Sequence, residues 1–205
     1  MNIAVFVSGG GSNFQALIDR ADAGDLHAKL SLCIGNNSKA VAFERAKKHG
    51  IPVRHIAPSH FANENSYVKE LVSVLREHRI DLIVLAGYMK KVPAAVVAAY
   101  HNRIVNIHPG LLPAFGGPGL YGEKVHQAVL DYGAKISGIT IHFVDEEYDH
   151  GPIIFQETTE VLDTDDAQSL AERVLAIEHA NLWRVCEAIV QGRLVVKGRR
   201  VYGTV

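Results

Sequence analysis

Near-continuous apolar runs rich in β-branched residues, each followed by a segment with helical spacing, fill the first half of this chain. Few folds accommodate that order. Residues 3–7 (IAVFV), 30–34, 53–56, 82–86 and 103–107 read as strands; 14–23, 39–49 and 64–78 read as helices, with a further helix begun by Pro93. Within 64–78, apolar Val68, Leu71, Val72 and Leu75 recur at helical spacing. A strand that lacks polar alternation is buried on both faces. Such runs separated by helices therefore specify an α/β, Rossmann-like architecture: a mostly parallel twisted sheet with helices on both faces. Crossovers in these sheets are right-handed, and ligands bind beyond the carboxyl ends of the strands, near a switch in strand order.

The pattern changes after residue 110. A glycine-rich loop, 115–122 (FGGPGLYG), leads into a helix at 123–132. Residues 136–144 and 153–161 are extended segments joined by DEEYDHGP, which predicts an antiparallel C-terminal portion with a long acidic loop. Asp163, Thr164, Asp165 and Asp166 are N-cap candidates for a long helix over 167–191, and 194–196 with 200–202 suggest a closing hairpin around Gly198. A length of 205 residues suits one compact domain, or one with a modest C-terminal addition. A net charge of −1 supplies no basic field for nucleic acid or an anionic membrane. The N-terminal apolar run is too short for a signal segment or a membrane span. Cys33 and Cys186 form no C-x-x-C pattern, so the expectation is a cytoplasmic protein without a disulfide framework or zinc site.

Polar residues gather where the fold expects ligands. SGGGSN follows the first strand, GNNS the second, GYM the fourth and NIHPG the fifth. SGGGSN is a poor dinucleotide fingerprint. Counting from Gly9, its third glycine would fall at Phe14, and no Asp or Glu lies between Asp25 and Glu44 to meet a ribose. Two readings stand: one phosphate held by backbone N–H groups of Gly11, Ser12 and Asn13 at a helix N-terminus, or a tight turn with Ser12 as N-cap. In IVNIHPGLLP, Asn106 and His108 interrupt an apolar run and, two residues apart on a strand, face the same way. Buried polar groups are costly unless partnered. An imidazole can shuttle protons and a carboxamide N–H can stabilise an oxyanion. A carboxylate from DEEYDHG would raise the pKa of that histidine; Asp145, Glu146, Glu147 and Asp149 are all available. His142 shares a strand face with Thr140 and Val144 and is either a core residue or part of the cleft. A metal cluster of His108, His142, Asp149 and His150 is conceivable, but no metal-ligand motif supports it.

The segments SGGGSN, LAGYMK, NIHPGLLP, GITIHFV and DEEYDHGPII occur in an order and spacing that resembles the phosphoribosylglycinamide formyltransferase family, across essentially the whole chain. The resemblance implies a single formyltransferase domain over 1–205, with a nucleotide-binding half (1–110) and a folate-loop and C-terminal half (111–205). It implies Asn106, His108 and Asp149 as catalytic residues. Gly11, Ser12, Asn13 and Glu178 would contact phosphoribosylglycinamide; Met89, Lys90, Lys91, Val92, Asn106 and Val144 would contact folate. The co-substrate would be 10-formyltetrahydrofolate, with small-molecule substrates as partners, no nucleic acid, membrane or metal, an open oligomeric state, and formyl transfer in purine biosynthesis as the activity. Gly110 stands where the family commonly has serine, Glu64 where some members have arginine, and Pro118 where lysine is expected.

Two other readings are kept beside it. A formyltetrahydrofolate hydrolase would use the same residues but usually carries an N-terminal domain, for which a first strand starting at Asn2 is expected to leave no room. A non-catalytic nucleotide-binding module would have lost the chemistry, against which the retention of Asn106, His108 and Asp149 argues. Methionyl-tRNA formyltransferase would require a basic RNA-binding addition.

Overall fold

The computed structural model describes residues 1–205. Its elements in chain order are β1 (Asn2–Val7), α1 (Ser12–Asp22), β2 (Lys29–Gly35), α2 (Ala42–Lys48), β3 (Val53–His55), α3 (Glu64–Glu77), β4 (Leu82–Leu85), α4 (Ala94–Ala99) and β5 (Ile104–His108). There follow α5 (Glu123–Tyr132), β6 (Ile136–Phe143), β7 (Ile153–Glu160), α6 (Ala167–Val190), β8 (Val195–Lys197) and β9 (Arg200–Tyr202). The chain forms two compact units, Met1–Val105 and Asn106–Val205. Their boundary falls inside β5, between its apolar start and its polar end. No helix is long and apolar enough to cross a membrane.

In the first unit the strand order is β3-β2-β1-β4, with β5 beginning beside β4. β1 pairs in parallel with both β2 and β4, and β2 in parallel with β3. Ile3 to Val7 have no exposed surface, as expected for a strand sandwiched between layers; Phe14, Leu17 and Ile18 of α1 and Leu71 and Leu75 of α3 complete the core. The chain moves outward from β1 through β2 to β3 and returns to the other flank of β1 with β4. The carboxyl ends of β1 and β4 thus meet at the switch in strand order, where a crevice opens in such sheets.

Two boundaries differ from the sequence expectation for physical reasons. α1 begins at Ser12 because Gly11 adopts φ 71°, the left-handed region, and acts as N-cap; Ser12 is the first helical residue and not the cap. A side chain at Gly11 would also meet Ala42, with Cβ to Cβ at 2.5 Å. α2 starts at Ala42, not at 39, because Asn37 folds the preceding residues into a turn. Its side chain accepts from Lys39 N–H at 3.0 Å and its carbonyl from Ala40 N–H at 3.1 Å. Pro58–His60 forms a short 3₁₀ helix that no periodicity signals.

In the second unit the end of β5 lies beside β6, and β6 pairs antiparallel with β7 from Ile136↔Glu160 to His142↔Ile153, with an irregularity between Ile141 and His142. α6 packs on α5 and β6 and buries Leu170, Val174, Leu182, Val185 and Cys186. Asp166 caps it in a reciprocal box with Ser169. β8 and β9 form a separate two-stranded antiparallel hairpin.

Candidate active site

In the first unit the loop after β1 is built as an anion cradle. Ser8 to Asn13, Ala86, Gly87 and Met89 line a cavity of about 280 Å³. No side chain caps the N-terminus of α1, and its first turn contains no acidic residue. The positive end of its dipole therefore favours an anion there. Side chains fix the loop from behind. Ser8 Oγ accepts from Met89 N–H at 2.8 Å and donates to Asn36 Oδ1 at 2.5 Å, tying together the ends of three strands. Arg45 Nε donates to the Gly10 carbonyl at 2.9 Å, and Ala42 N–H to the Gly9 carbonyl at 3.2 Å.

In the second unit four side chains converge. Asn106 and His108 leave β5 on one face. Asp149 Oδ2 lies 3.6 Å from His108 Nδ1, and Asp149 Oδ1 accepts from Asn106 Nδ2 at 3.4 Å. His142 of β6 donates through Nδ1 to the Phe143 carbonyl at 2.8 Å, and its Nε2 lies 3.1 Å from Asn106 Nδ2 and 3.8 Å from Asp149 Oδ1. Backbone groups close the cluster: His108 Nε2 donates to the Phe115 carbonyl at 2.8 Å, and Gly117 N–H donates to Asp149 Oδ2 at 2.9 Å. His108 and His142 are buried and Asp149 nearly so.

The electrostatics correct one expectation. Burial pushes the His108 imidazole below the ordinary histidine value; Asp149 and the Phe115 carbonyl pull it back up without overcoming that, and His142 adds to the depression. The carboxylate does act in the expected direction but does not win. For Asp149, burial pushes upward, and contacts with His142, His108 and the Gly117 N–H together outweigh it, holding the carboxyl below its ordinary range. Burial thus works against the protonated His108 ring, while the neighbours of Asp149 favour its ionised carboxylate. With Nε2–H donated to Phe115, the Nδ1 lone pair faces the carboxylate, so a proton taken up by the ring goes to Nδ1 and converts repulsion into an ion pair.

Residues 1–186 match the formyl transferase family. The chain belongs to that family. The phosphoribosylglycinamide formyltransferase of Bacillus subtilis is 37% identical over 86% of this chain and 88% of its own length. The chloroplastic phosphoribosylglycinamide formyltransferase of Vigna unguiculata is 44% identical over 94% of this chain; the match spans 62% of that longer protein, so this chain corresponds to about three fifths of it. The crystal structure of glycinamide ribonucleotide transformylase 1 from Symbiobacterium toebii superposes with a TM-score of 0.94 at 36% identity, covering 100% of this chain and 94% of that one.

The other residues singled out in the sequence of this family member are distributed as follows. Gly11, Ser12, Asn13 and Met89 line the cradle. Lys90 and Lys91 are exposed beyond it, while Val92 is buried. Val144 is half-buried where β6 gives way to the Asp149 loop, and Glu178 is buried on α6. The four-residue metal cluster does not assemble, because His150 Nδ1 pairs with Asp145 Oδ2 at 2.7 Å; no group of three His, Cys, Asp or Glu side chains is arranged to hold a metal. A Cβ at Gly110 would lie 3.1 Å from His108 Nε2 and 3.0 Å from Val125 Cγ1, so the glycine gives the imidazole room. Glu64 opens α3 behind its Asn63 cap, where a carboxylate meets the positive end of the helix. Sequence reasoning missed Gln156, whose Nε2 donates to the Leu112 carbonyl and to Thr140 Oγ1, both at 2.9 Å. Thr140 Oγ1 in turn donates to the Gly110 carbonyl at 2.7 Å and accepts from Leu112 N–H at 2.9 Å. The alternation that puts Thr140 and His142 on one face of β6 was the signal for this support.

Proposed function

We propose that the chain transfers the formyl group of 10-formyltetrahydrofolate to the primary amine of 5′-phosphoribosylglycinamide, a step of purine biosynthesis. The observation that carries this reading is the convergence of Asn106, His108 and Asp149 in a member of this family. The carboxylate beside the buried imidazole stabilises the ring when it takes up a proton, which suits His108 to carry a proton during the reaction. The amine attacks the formyl carbon, forming a tetrahedral oxyanion. The Nε2–H of His108, at present satisfied by a backbone carbonyl, and the Asn106 amide supply the donors for that oxygen. The bond to folate N10 then breaks, N10 keeps the electron pair and takes a proton, and the former amine loses one. Neither cysteine serves as nucleophile: both are buried, and burial pushes the Cys33 and Cys186 thiols up to about 12.

In this reading Gly11, Ser12 and Asn13 hold the ribonucleotide phosphate and Glu178 meets the acceptor, while Met89, Lys90, Lys91, Val92 and Val144 bind the folate. Two free, buried cysteines suit a reducing compartment, and the cytoplasm is the proposed location. The test is an absorbance assay of deformylation with and without phosphoribosylglycinamide. Acceptor-dependent turnover supports the transferase. Turnover without acceptor indicates the hydrolase, and none indicates a binding module.

A further inference from the structure

Asp149 stands at φ 52°, in the left-handed region that aspartate tolerates better than most residues with a Cβ, and contacts on both sides of it fix the loop there. Contacts on the cluster side hold its carboxylate. A second set of contacts, on the outer side of the same loop, holds its backbone. Asp145 accepts from Glu147 N–H at 2.9 Å through Oδ1 and pairs with His150 Nδ1 through Oδ2. Arg199 Nη1 lies 3.3 Å from His150 Nε2. Arg199 Nη2 also donates to the main-chain carbonyl of His150, the residue immediately after Asp149. Arg199 comes from a remote element, the turn between β8 and β9 next to Gly198 at φ 59°. Gly151 completes the closure, because a side chain there would collide with the Phe143 carbonyl.

We propose that Arg199 is a positioning residue for Asp149: by gripping the His150 carbonyl and ring from the β8–β9 turn, it fixes the backbone that aims the carboxylate at His108. The inference rests on the formyl-transfer reading for the role of Asp149, but the grip itself is geometric. Simple fold stabilisation is a weak account of it. The side chains of His150 and Asp145 are 46% and 34% exposed, and polar contacts so open to water contribute little to stability.

The test compares Arg199→Ala and Arg199→Lys with the wild-type chain in two independent readouts. One is the titration of the His108 ring, which faces Asp149, His142 and His126, followed by NMR without any substrate. The other is steady-state kinetics. In Arg199→Ala the His108 midpoint moves down, because Asp149 no longer pulls it up fully. Turnover falls about tenfold or more, the scale of a slightly misplaced catalytic group, with KM for the amine acceptor unchanged. Arg199→Lys, which can still donate to the His150 carbonyl, recovers most of both. A His108 midpoint that stays at the wild-type value in Arg199→Ala overturns the proposal, whatever happens to the melting temperature. If the wild-type chain transfers no formyl group, the functional reading fails while the titration still decides the role of Arg199.

Discussion

Asp149 Oδ2 stands 3.6 Å from His108 Nδ1, with the two side chains only 12% and 4% exposed. The carboxylate favours the charged ring and burial opposes it, and burial is the larger influence. Asp149→Asn removes the opposing influence and keeps the shape. The His108 value falls further, so the fraction of enzyme holding a protonated ring shrinks first at high pH. The descending high-pH limb of the kcat profile is expected to move to lower pH, with a greater loss of turnover at pH 8 than at pH 6. A pH-rate series on both proteins checks this.

In the proposed mechanism, replacing His108 removes the proton donor. His108→Ala is expected to lose about 10²- to 10⁴-fold in turnover, the usual contribution of a positioned general acid. Its circular dichroism spectrum should stay that of the wild type, because the strand ladder of β5 does not depend on the ring. Near-normal turnover would remove His108 from the chemistry.

Gly11→Ala tests the cradle. At φ 71° an alanine costs roughly 1–2 kcal/mol, and its Cβ would stand 2.5 Å from that of Ala42, so the loop must shift. Denaturant unfolding is expected to show a loss of at least that order. KM for the phosphorylated acceptor should rise more than KM for the formyl donor.

Acid should destabilise the fold through two buried histidines. Burial holds His108 and His126 below the ordinary value near 6.5, and His126 Nδ1 has no hydrogen-bond partner. A folded value below the unfolded one means that the unfolded chain binds more protons. The stability from each neutral ring is then complete above about pH 6.5 and is lost as pH falls toward the folded value, by up to about 1.4 kcal/mol per pH unit per proton. His126→Leu should flatten this dependence between pH 7 and pH 5 without loss at pH 7, since it also removes a buried unsatisfied nitrogen. Urea midpoints at several pH values measure both.

Much of this was legible in the sequence, for identifiable reasons. Strands buried on both faces leave uninterrupted apolar runs, so β1, β2, β4 and β5, and the crevice at the carboxyl ends of β1 and β4, could be read directly. The two-residue period of a strand placed Asn106 and His108 together. His142 was ambiguous because a strand histidine is buried whether it fills the core or lines a cleft. The Phe115 carbonyl and the Gly117 N–H are backbone groups and leave no trace in residue identity. Asp149 could be chosen among four acids of its loop only through the family resemblance, since spacing alone does not say which one folds inward. The net direction of the His108 shift depends on how completely the ring is enclosed, which a linear pattern does not encode.

The most direct measurement follows the formyl carbon itself. With a ¹³C-formyl donor and phosphoribosylglycinamide, NMR is expected to show the label as a formamide on the acceptor nitrogen in the wild-type chain, and almost none of it there in His108→Ala. Label released as free formate by the wild-type chain, or transferred as fast without the His108 imidazole, would contradict the account.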